Sequence, residues 1–363
     1  MKRVKVSQLV PGMVTAEDVY NYSNQLVLPK GLVLNDQSIT KLEFYAIMSI
    51  KIEEASMNVA KPEVIYSSAG EQSYSERLKK SPAFKEFQHT FDQKIGSIKG
   101  ALNDIVDKGM DVDPDLLLED TLALLNNSHG QVNVFDMLRT MRSYDDQTFA
   151  HSLNVALISN VLAGWLHMTP EQVELATLCG VLHDIGKLAI PESIVKKPDK
   201  LTDEEFNLIK THTIEGYRIL KDQNINVHIK NAALQHHERC DGSGYPLGWT
   251  SDQIDKYAKI VSIADVYDAM TASRVYRGPL CPFKVIEIFE EEGLQRYDTK
   301  YILTFLENVA LTYIGNKVRL SDGRIGKIVF TNKTMLSKPM IEGEDGTFID
   351  LSKEPNLSID AIL

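Results

Sequence analysis

Cysteine is scarce in this chain of 363 residues: Cys179, Cys240 and Cys281 are an odd set without paired spacing. That excludes a disulfide framework and fits a reducing cytosol. Positive charge is also short. Against 50 Asp and Glu stand 39 Lys and Arg, a net charge of −11, and a chain without a basic footprint is not built to hold a nucleic-acid polymer. No apolar run is long enough for a membrane span, and the opening MKRVKVSQLVPGM lacks the apolar stretch of a signal peptide, so a cytoplasmic location is expected. Internal repeats and low-complexity tracts are missing too. What remains, 43% hydrophobic and 25% charged, describes a globular chain with room for two or three domains.

The chemistry concentrates in histidine and aspartate. His183 and Asp184 adjoin in VLHDIGK, and an imidazole beside a carboxylate can hold two metal ions, the carboxylate bridging them. Taken alone, such a step is more often the wet face of a helix. Its company changes the reading. His236 and His237 stand together in LQHHERCDGSGYP, followed by Glu238. Neighbours on one helix point about 100° apart, so both face a dry core only with something polar between them, and a metal ion is the natural object. His212 in KTHTIEGYRIL, His151 in FAHSLNVALIS and Asp265 in IVSIADVYDAM each interrupt an apolar helical face. Five of the nine histidines therefore fall on helices that read as core.

Start signals support those helices. Thr202 with Glu205 and Thr169 with Gln172 make capping boxes, the second with Pro170 at the first helical position. From Thr202 the residues Phe206, Ile209, Tyr217 and Leu220 recur at helical spacing, which turns His212 inward. Val173, Ala176, Cys179 and Leu182 do the same ahead of His183, and Ile260, Ile263 and Ala264 flank Asp265.

Imidazoles and carboxylates without thiolates suit borderline divalent ions such as iron, manganese, cobalt, nickel or zinc. A carboxylate shared by two ions holds them about 3.5–4 Å apart, where a pair generates hydroxide and clamps both oxygens of an in-line displacement at phosphorus. Phosphate-ester hydrolysis is the reaction implied. Lys187, one helical turn after His183, offers an ammonium to the growing phosphate charge, although a helix-end lysine is often merely solvated. After His237, the run Asp241-Gly242-Ser243-Gly244-Tyr245-Pro246 packs two glycines into a turn and presents an aromatic ring able to stack on a base.

In this order and with helix-length gaps, HDIGK, HHE, DGSGYP and IADVYDAMTASRVYR resemble the signature of the HD-GYP family of cyclic dinucleotide phosphodiesterases, a branch of the HD superfamily. The resemblance covers roughly residues 145–301. It implies an all-helical domain with a binuclear metal centre that hydrolyses cyclic di-GMP to linear pGpG, often on to GMP, through a metal-bridging hydroxide, in second-messenger signalling. Carried over by position, it implies His151, His183, Asp184 and Asp265 as ligands of one ion, and Asp184, His212, His236 and His237 as ligands of the other. Iron or manganese is the expected pair. Lys187 joins Asp184 as a catalytic group, and Lys187, Gly244, Tyr245, Pro246, Arg274 and Arg277 are the implied substrate contacts, the arginines suiting planar phosphate or guanine recognition. Asp268, on the face of Asp265, and Glu238 are expected to orient this set through hydrogen bonds. Lys196, Lys197 and Lys200 add local positive charge for a small anion.

Two positions depart from the family pattern. Gln147 stands where some members carry a glutamate for a third metal, so two ions are expected, with Asp145 and Asp146 close by. Cys240 replaces a bulky aromatic ahead of the Asp-Gly turn, which bears on the substrate rim.

The expected fold is mainly α: a helical HD-type domain over 143–313, a helical segment over 82–142 beside it or pairing two protomers, a small α+β N-terminal module over 1–60, a linker over 61–81, and a small β-rich C-terminal cap over 314–363. Asp322-Gly323 and Asp345-Gly346 mark turns in a cap of three or four strands. The N-terminal module and the GYP loop leave room for a signalling-protein partner. Two classes of function stay open: an enzyme, favoured because every expected ligand position carries a competent residue, and a non-catalytic cyclic dinucleotide receptor or partner-binding module. Among enzymes, mixed cyclic GMP-AMP is the rival substrate.

Overall fold

Short alternating runs at the start of the chain make strands, and one helix covers them. β1 (Lys2–Lys5), β2 (Val19–Tyr20), β3 (Leu26–Leu28), α1 (Asp36–Phe44) and β4 (Ser49–Ile52) form the N-terminal module, with β1 antiparallel to β4 and β2 to β3. Val4, Ile50 and Ile52 join Ile39 and Leu42 in its core. The computed structural model describes all residues except 21–25, 46, 48, 59–73, 127–133, 142–146, 196, 198–201 and 272–279. Most of the expected linker over 61–81 lies outside the described residues.

Helical spacing takes over from α2 (Tyr74–Lys80) onward. α3 (Pro82–Lys108) buries Phe84, Phe87, Phe91, Ile95, Ile98, Leu102 and Ile105 at three- and four-residue intervals. Ser81 caps its start by accepting from the Phe84 amide, Pro82 occupies the first turn, and Gly109 ends it at φ 65°. α4 (Pro114–Asn126) and α5 (Val134–Thr140) follow. All three join the core that also fills the bundle.

The bundle runs through α6 (Gln147–Trp165), α7 (Pro170–Leu182), the short α8 (Glu192–Val195), α9 (Asp203–Lys210), α10 (His212–Leu220), α11 (Val227–Gln235), α12 (Lys256–Thr271), α13 (Pro282–Glu292) and α14 (Thr299–Thr312). Both expected capping boxes are present. A Cβ on Gly180 would stand 2.6 Å from the Ala156 Cα, so α6 and α7 cross almost backbone to backbone. α12 is buried nearly all round and lies at the centre.

The helix expected from Thr202 to Leu220 is two helices, broken at Thr211, and His183, His236 and His237 stand at or beyond helix ends. An unbroken apolar period conceals such breaks, because the face resumes in register after them.

The C-terminal residues make a five-stranded antiparallel sheet, one or two strands more than expected. β5 (Lys317–Leu320), β6 (Ile325–Phe330), β7 (Met340–Gly343), β8 (Phe348–Asp350) and β9 (Ile359–Ile362) order as β8-β7-β6-β5-β9. Gly323 and Gly346, at φ 91° and 79°, turn the two expected hairpins. Glu290 of α13 anchors this sheet by accepting from the Leu336 and Ser337 amides. On the same helix Phe289 meets Phe44 of α1 edge to face at 5.5 Å, so both appended modules dock on α13. Among the described residues, no helix is long and apolar enough to cross a membrane.

Candidate metal centre

Helix ends bring the polar side chains to one point. His183 caps α7 and Asp184 opens the 3-10 turn Ile185–Ala189; His212 is the first residue of α10; His236 caps α11, and His237 follows. Leaving the helical path frees neighbouring residues from the 100° divergence of a continuous helix. α6 and α12 supply His151 and Asp265 from their interiors. Gly186 makes the approach possible: a Cβ there would lie 1.9 Å from the His212 carbonyl oxygen and 2.4 Å from the Gly216 amide nitrogen. Neither glycine was read as functional from the sequence; GK after HD and EG after HT were the available signals.

Asp184 lies between two imidazole pairs. Its Oδ2 is 3.3 Å from His183 Nε2 and 3.7 Å from His151 Nε2, while its Oδ1 is 3.3 Å from His212 Nε2 and 3.7 Å from His236 Nε2. Asp265 Oδ1 stands 3.0 Å from His151 Nε2, and its Oδ2 stands 3.8 Å from His237 Nδ1. The donor atoms of His151, His183 and Asp265 form one compact group, and those of His212, His236 and His237 another, each within 4.8 Å.

The hydrogen bonds around these rings favour a cation. His183, His212 and His236 each point Nδ1 at a backbone carbonyl, of Gly180 at 2.7 Å, of Ile209 at 2.8 Å and of Ala232 at 3.0 Å. A carbonyl only accepts, so Nδ1 carries the proton and Nε2 presents its lone pair. The bare Nε2 atoms of His212 and His236 then face each other at 3.2 Å, which is repulsive unless a positive charge lies beside them. His183 Nε2, Asp184 Oδ1 and His237 Nδ1, all buried, have no hydrogen-bond partner among the described residues. The donor set fits a divalent transition ion.

Charge states agree. Burial pushes His212 down to about 4, and His236 and His237 well below the usual histidine range, so these rings are neutral. Burial works against ionisation of Asp184, but Lys187 and His183 outweigh it and hold the carboxyl well below its usual range. Asp265 is likewise lowered, through His151 and His237 against its burial. Neutral imidazoles and ionised carboxylates are the forms a metal ion needs. His151 differs: burial opposes its charge, yet its bonds to Asp265 and Asp268 raise it to about 10.

Around this cluster, Asp268 Oδ2 accepts from His151 Nδ1 at 2.8 Å and Oδ1 from Asn154 at 3.1 Å, a link to Asn154 that sequence reading missed although it lies one turn after His151. Lys187 turns its ammonium onto Asp184 Oδ2. Glu238 faces away from the cluster and accepts from the Leu247 and Trp249 amides at 2.7 and 3.0 Å, pinning the far side of the GYP loop. A Cβ on Gly244 would meet the His237 carbonyl oxygen at 2.4 Å, because the loop backbone lies directly on residues 237–239. Tyr245 stacks on His237 with ring centroids 4.7 Å apart, and Pro246 follows at the rim. Lys197 is bound to Glu205 at 2.7 Å. Arg274, Arg277, Lys196, Lys200, Asp145 and Asp146 lie outside the described residues.

Residues 133–301 match the HD domain family. A cyclic di-GMP phosphodiesterase of Pseudomonas aeruginosa is 33% identical over 229 residues, 63% of this chain and 54% of that protein. A 3'3'-cGAMP-specific phosphodiesterase of Vibrio cholerae is 39% identical over 145 residues, 40% of this chain and 34% of its own length. The chain thus spans about half or less of these curated relatives. An HDG"Y"P protein from Bdellovibrio bacteriovorus overlays with a TM-score of 0.44 at 18% identity, covering 84% of this chain and 97% of that one. Residues 133–301 thus match an HD domain, and the chain is similar over this stretch to cyclic dinucleotide phosphodiesterases.

Proposed function

We propose that this chain is a metal-dependent phosphodiesterase that hydrolyses cyclic di-GMP to linear pGpG. Asp184 carries the reading: its two oxygens address separate imidazole pairs, as a carboxylate shared by two ions must. His151, His183 and Asp265 would hold one ion with Oδ2, and His212, His236 and His237 the other with Oδ1. Two such ions, iron or manganese, would supply an activated water and neutralise phosphate charge. Lys187, whose ammonium rests on Asp184 Oδ2 in this structure, would neutralise charge on a phosphate oxygen once that carboxylate holds metal. Tyr245, stacked on His237, is assigned to the base of the substrate, and Arg274 and Arg277 to phosphate or guanine. A cytoplasmic setting is supported by the odd count of three cysteines.

The similarity to a cGAMP-specific relative favours mixed cyclic GMP-AMP as the competing substrate. Chromatography of products from manganese- or reduced-iron-loaded protein, with Asp184→Ala beside it, tests both. Linear pGpG from the parent alone supports the proposal, and equimolar competition ranks the dinucleotides. Nucleotide binding without turnover would move the chain to a receptor role.

A further inference from the structure

Two buried arginines lie behind the metal centre and do not face it. Arg239 donates to the carbonyl oxygens of His236 at 3.2 Å and Glu238 at 2.8 Å, and to Ser262 Oγ at 3.1 Å. Its guanidinium carbon stands 5.1 Å from the centroid of the Tyr297 ring. Arg296, adjacent to Tyr297, lays its guanidinium 3.9 Å from the centroid of Tyr45, the residue that follows α1. The carbonyl oxygen of Arg296 accepts from the Cys240 amide at 2.7 Å, where the GYP loop begins. Tyr45 is itself held by Glu292 of α13, and Phe44 packs on Tyr297 at 5.9 Å.

These contacts run without a gap from the N-terminal module to the residues that present His236, His237 and Tyr245. Arg296 is 5% exposed, its Nη2 has no hydrogen-bond partner among the described residues, and aromatic faces compensate its charge. Removing the Tyr45 ring would take away the face on which Arg296 stacks and leave it the more distant Phe44 ring at 5.9 Å with the charges of Glu292 and Asp241, and a desolvated cation so loosened moves toward water. The Arg296 backbone that anchors Cys240 would move with it.

We propose that Tyr45, Arg296 and Arg239 are positioning residues, a strut through which the N-terminal module sets the geometry of the His236–His237 turn and the Tyr245 loop. Only its catalytic consequence rests on the hydrolase reading. The test uses the full chain as parent, Tyr45→Leu, Tyr45→Phe and Arg296→Met, with hydrogen exchange over residues 238–250 and KM for cyclic di-GMP measured on each. Tyr45→Leu and Arg296→Met should speed exchange of the Cys240 and Tyr245 amides at least ~10-fold and raise KM several-fold. Tyr45→Phe keeps the ring and should match the parent. Unchanged exchange in both Tyr45→Leu and Arg296→Met overturns the strut, and so does a Tyr45→Phe variant as loose as Tyr45→Leu. Faster exchange in a parent background without turnover would sustain the strut while removing the hydrolase reading.

Discussion

Replacing Gly186 by alanine puts a methyl where the backbone leaves no room. The new Cβ would lie 1.9 Å from the His212 carbonyl oxygen, 2.4 Å from the Gly216 nitrogen and 2.9 Å from the Gly216 Cα. Ordinary contact begins near 3.4 Å, so α10 or the turn after Asp184 must retreat about 1.5 Å. All three atoms are backbone, and none yields by a rotamer change. Overpacking of this kind costs about 1–3 kcal/mol of stability. The functional effect is larger. His212 Nε2 lies 3.3 Å from Asp184 Oδ1, and metal sites tolerate errors of only about 0.2 Å, so the shift exceeds the tolerance severalfold. Gly186→Ala should therefore lose the ion on the His212 side, keep the one on the His151 side, and fall roughly 100-fold or more in turnover. Metal analysis after dialysis and a urea midpoint on the same sample separate the two effects. A folded variant that retains both ions at parental affinity would refute the reasoning.

Gly244→Ala meets the His237 carbonyl at 2.4 Å and should displace the loop that carries Tyr245, raising KM roughly 10-fold while metal content holds; steady-state kinetics at full metal loading decide it. Asp268→Ala removes the partner of His151 Nδ1 and should weaken metal binding roughly 10–100-fold in chelator competition, whereas parental affinity would show that His151 needs no such support. In metal-free protein, His212 is lowered from 6.5 to about 4, so the unfolded chain holds more protons in that interval and stability is lost as pH falls through it. His151, raised from 6.5 to about 10, acts oppositely: its contribution is full below 6.5 and is lost as pH climbs toward 10. The urea midpoint of chelator-treated protein should peak near pH 6.5, and a flat profile would contradict both assignments.

Much of the site was legible because buried polar groups are conspicuous in apolar periods. His151, His183, His212 and Asp265 each interrupt such a face, and the structure gathers His151, His183, His212 and His236 around the two oxygens of Asp184, with Asp265 between His151 and His237. Capping boxes at Thr169 and Thr202 located two helix starts, since their hydrogen bonds are local. Helix breaks were not legible. The apolar face resumes after Thr211, so its period looks continuous, yet that break makes His212 the first residue of a new helix. Glu238 looked like a support for the ligands beside it, and its carboxylate turns instead to the Leu247 and Trp249 amides across the loop. β9 is only four residues at the tail, and its pairing with β5 across the intervening hairpins has no local signal. The stack of Tyr45 on Arg296 likewise joins distant parts of the chain.

The central claim is a shared-carboxylate pair of metal ions that hydrolyses cyclic di-GMP. The direct measurement is turnover against bound manganese, counted on the same samples, for the parent and Asp184→Ala. The account predicts that pGpG formation follows the second equivalent bound and that Asp184→Ala neither holds two ions nor turns over. Silence in a parent carrying two ions per chain, or parental turnover by Asp184→Ala, would contradict it.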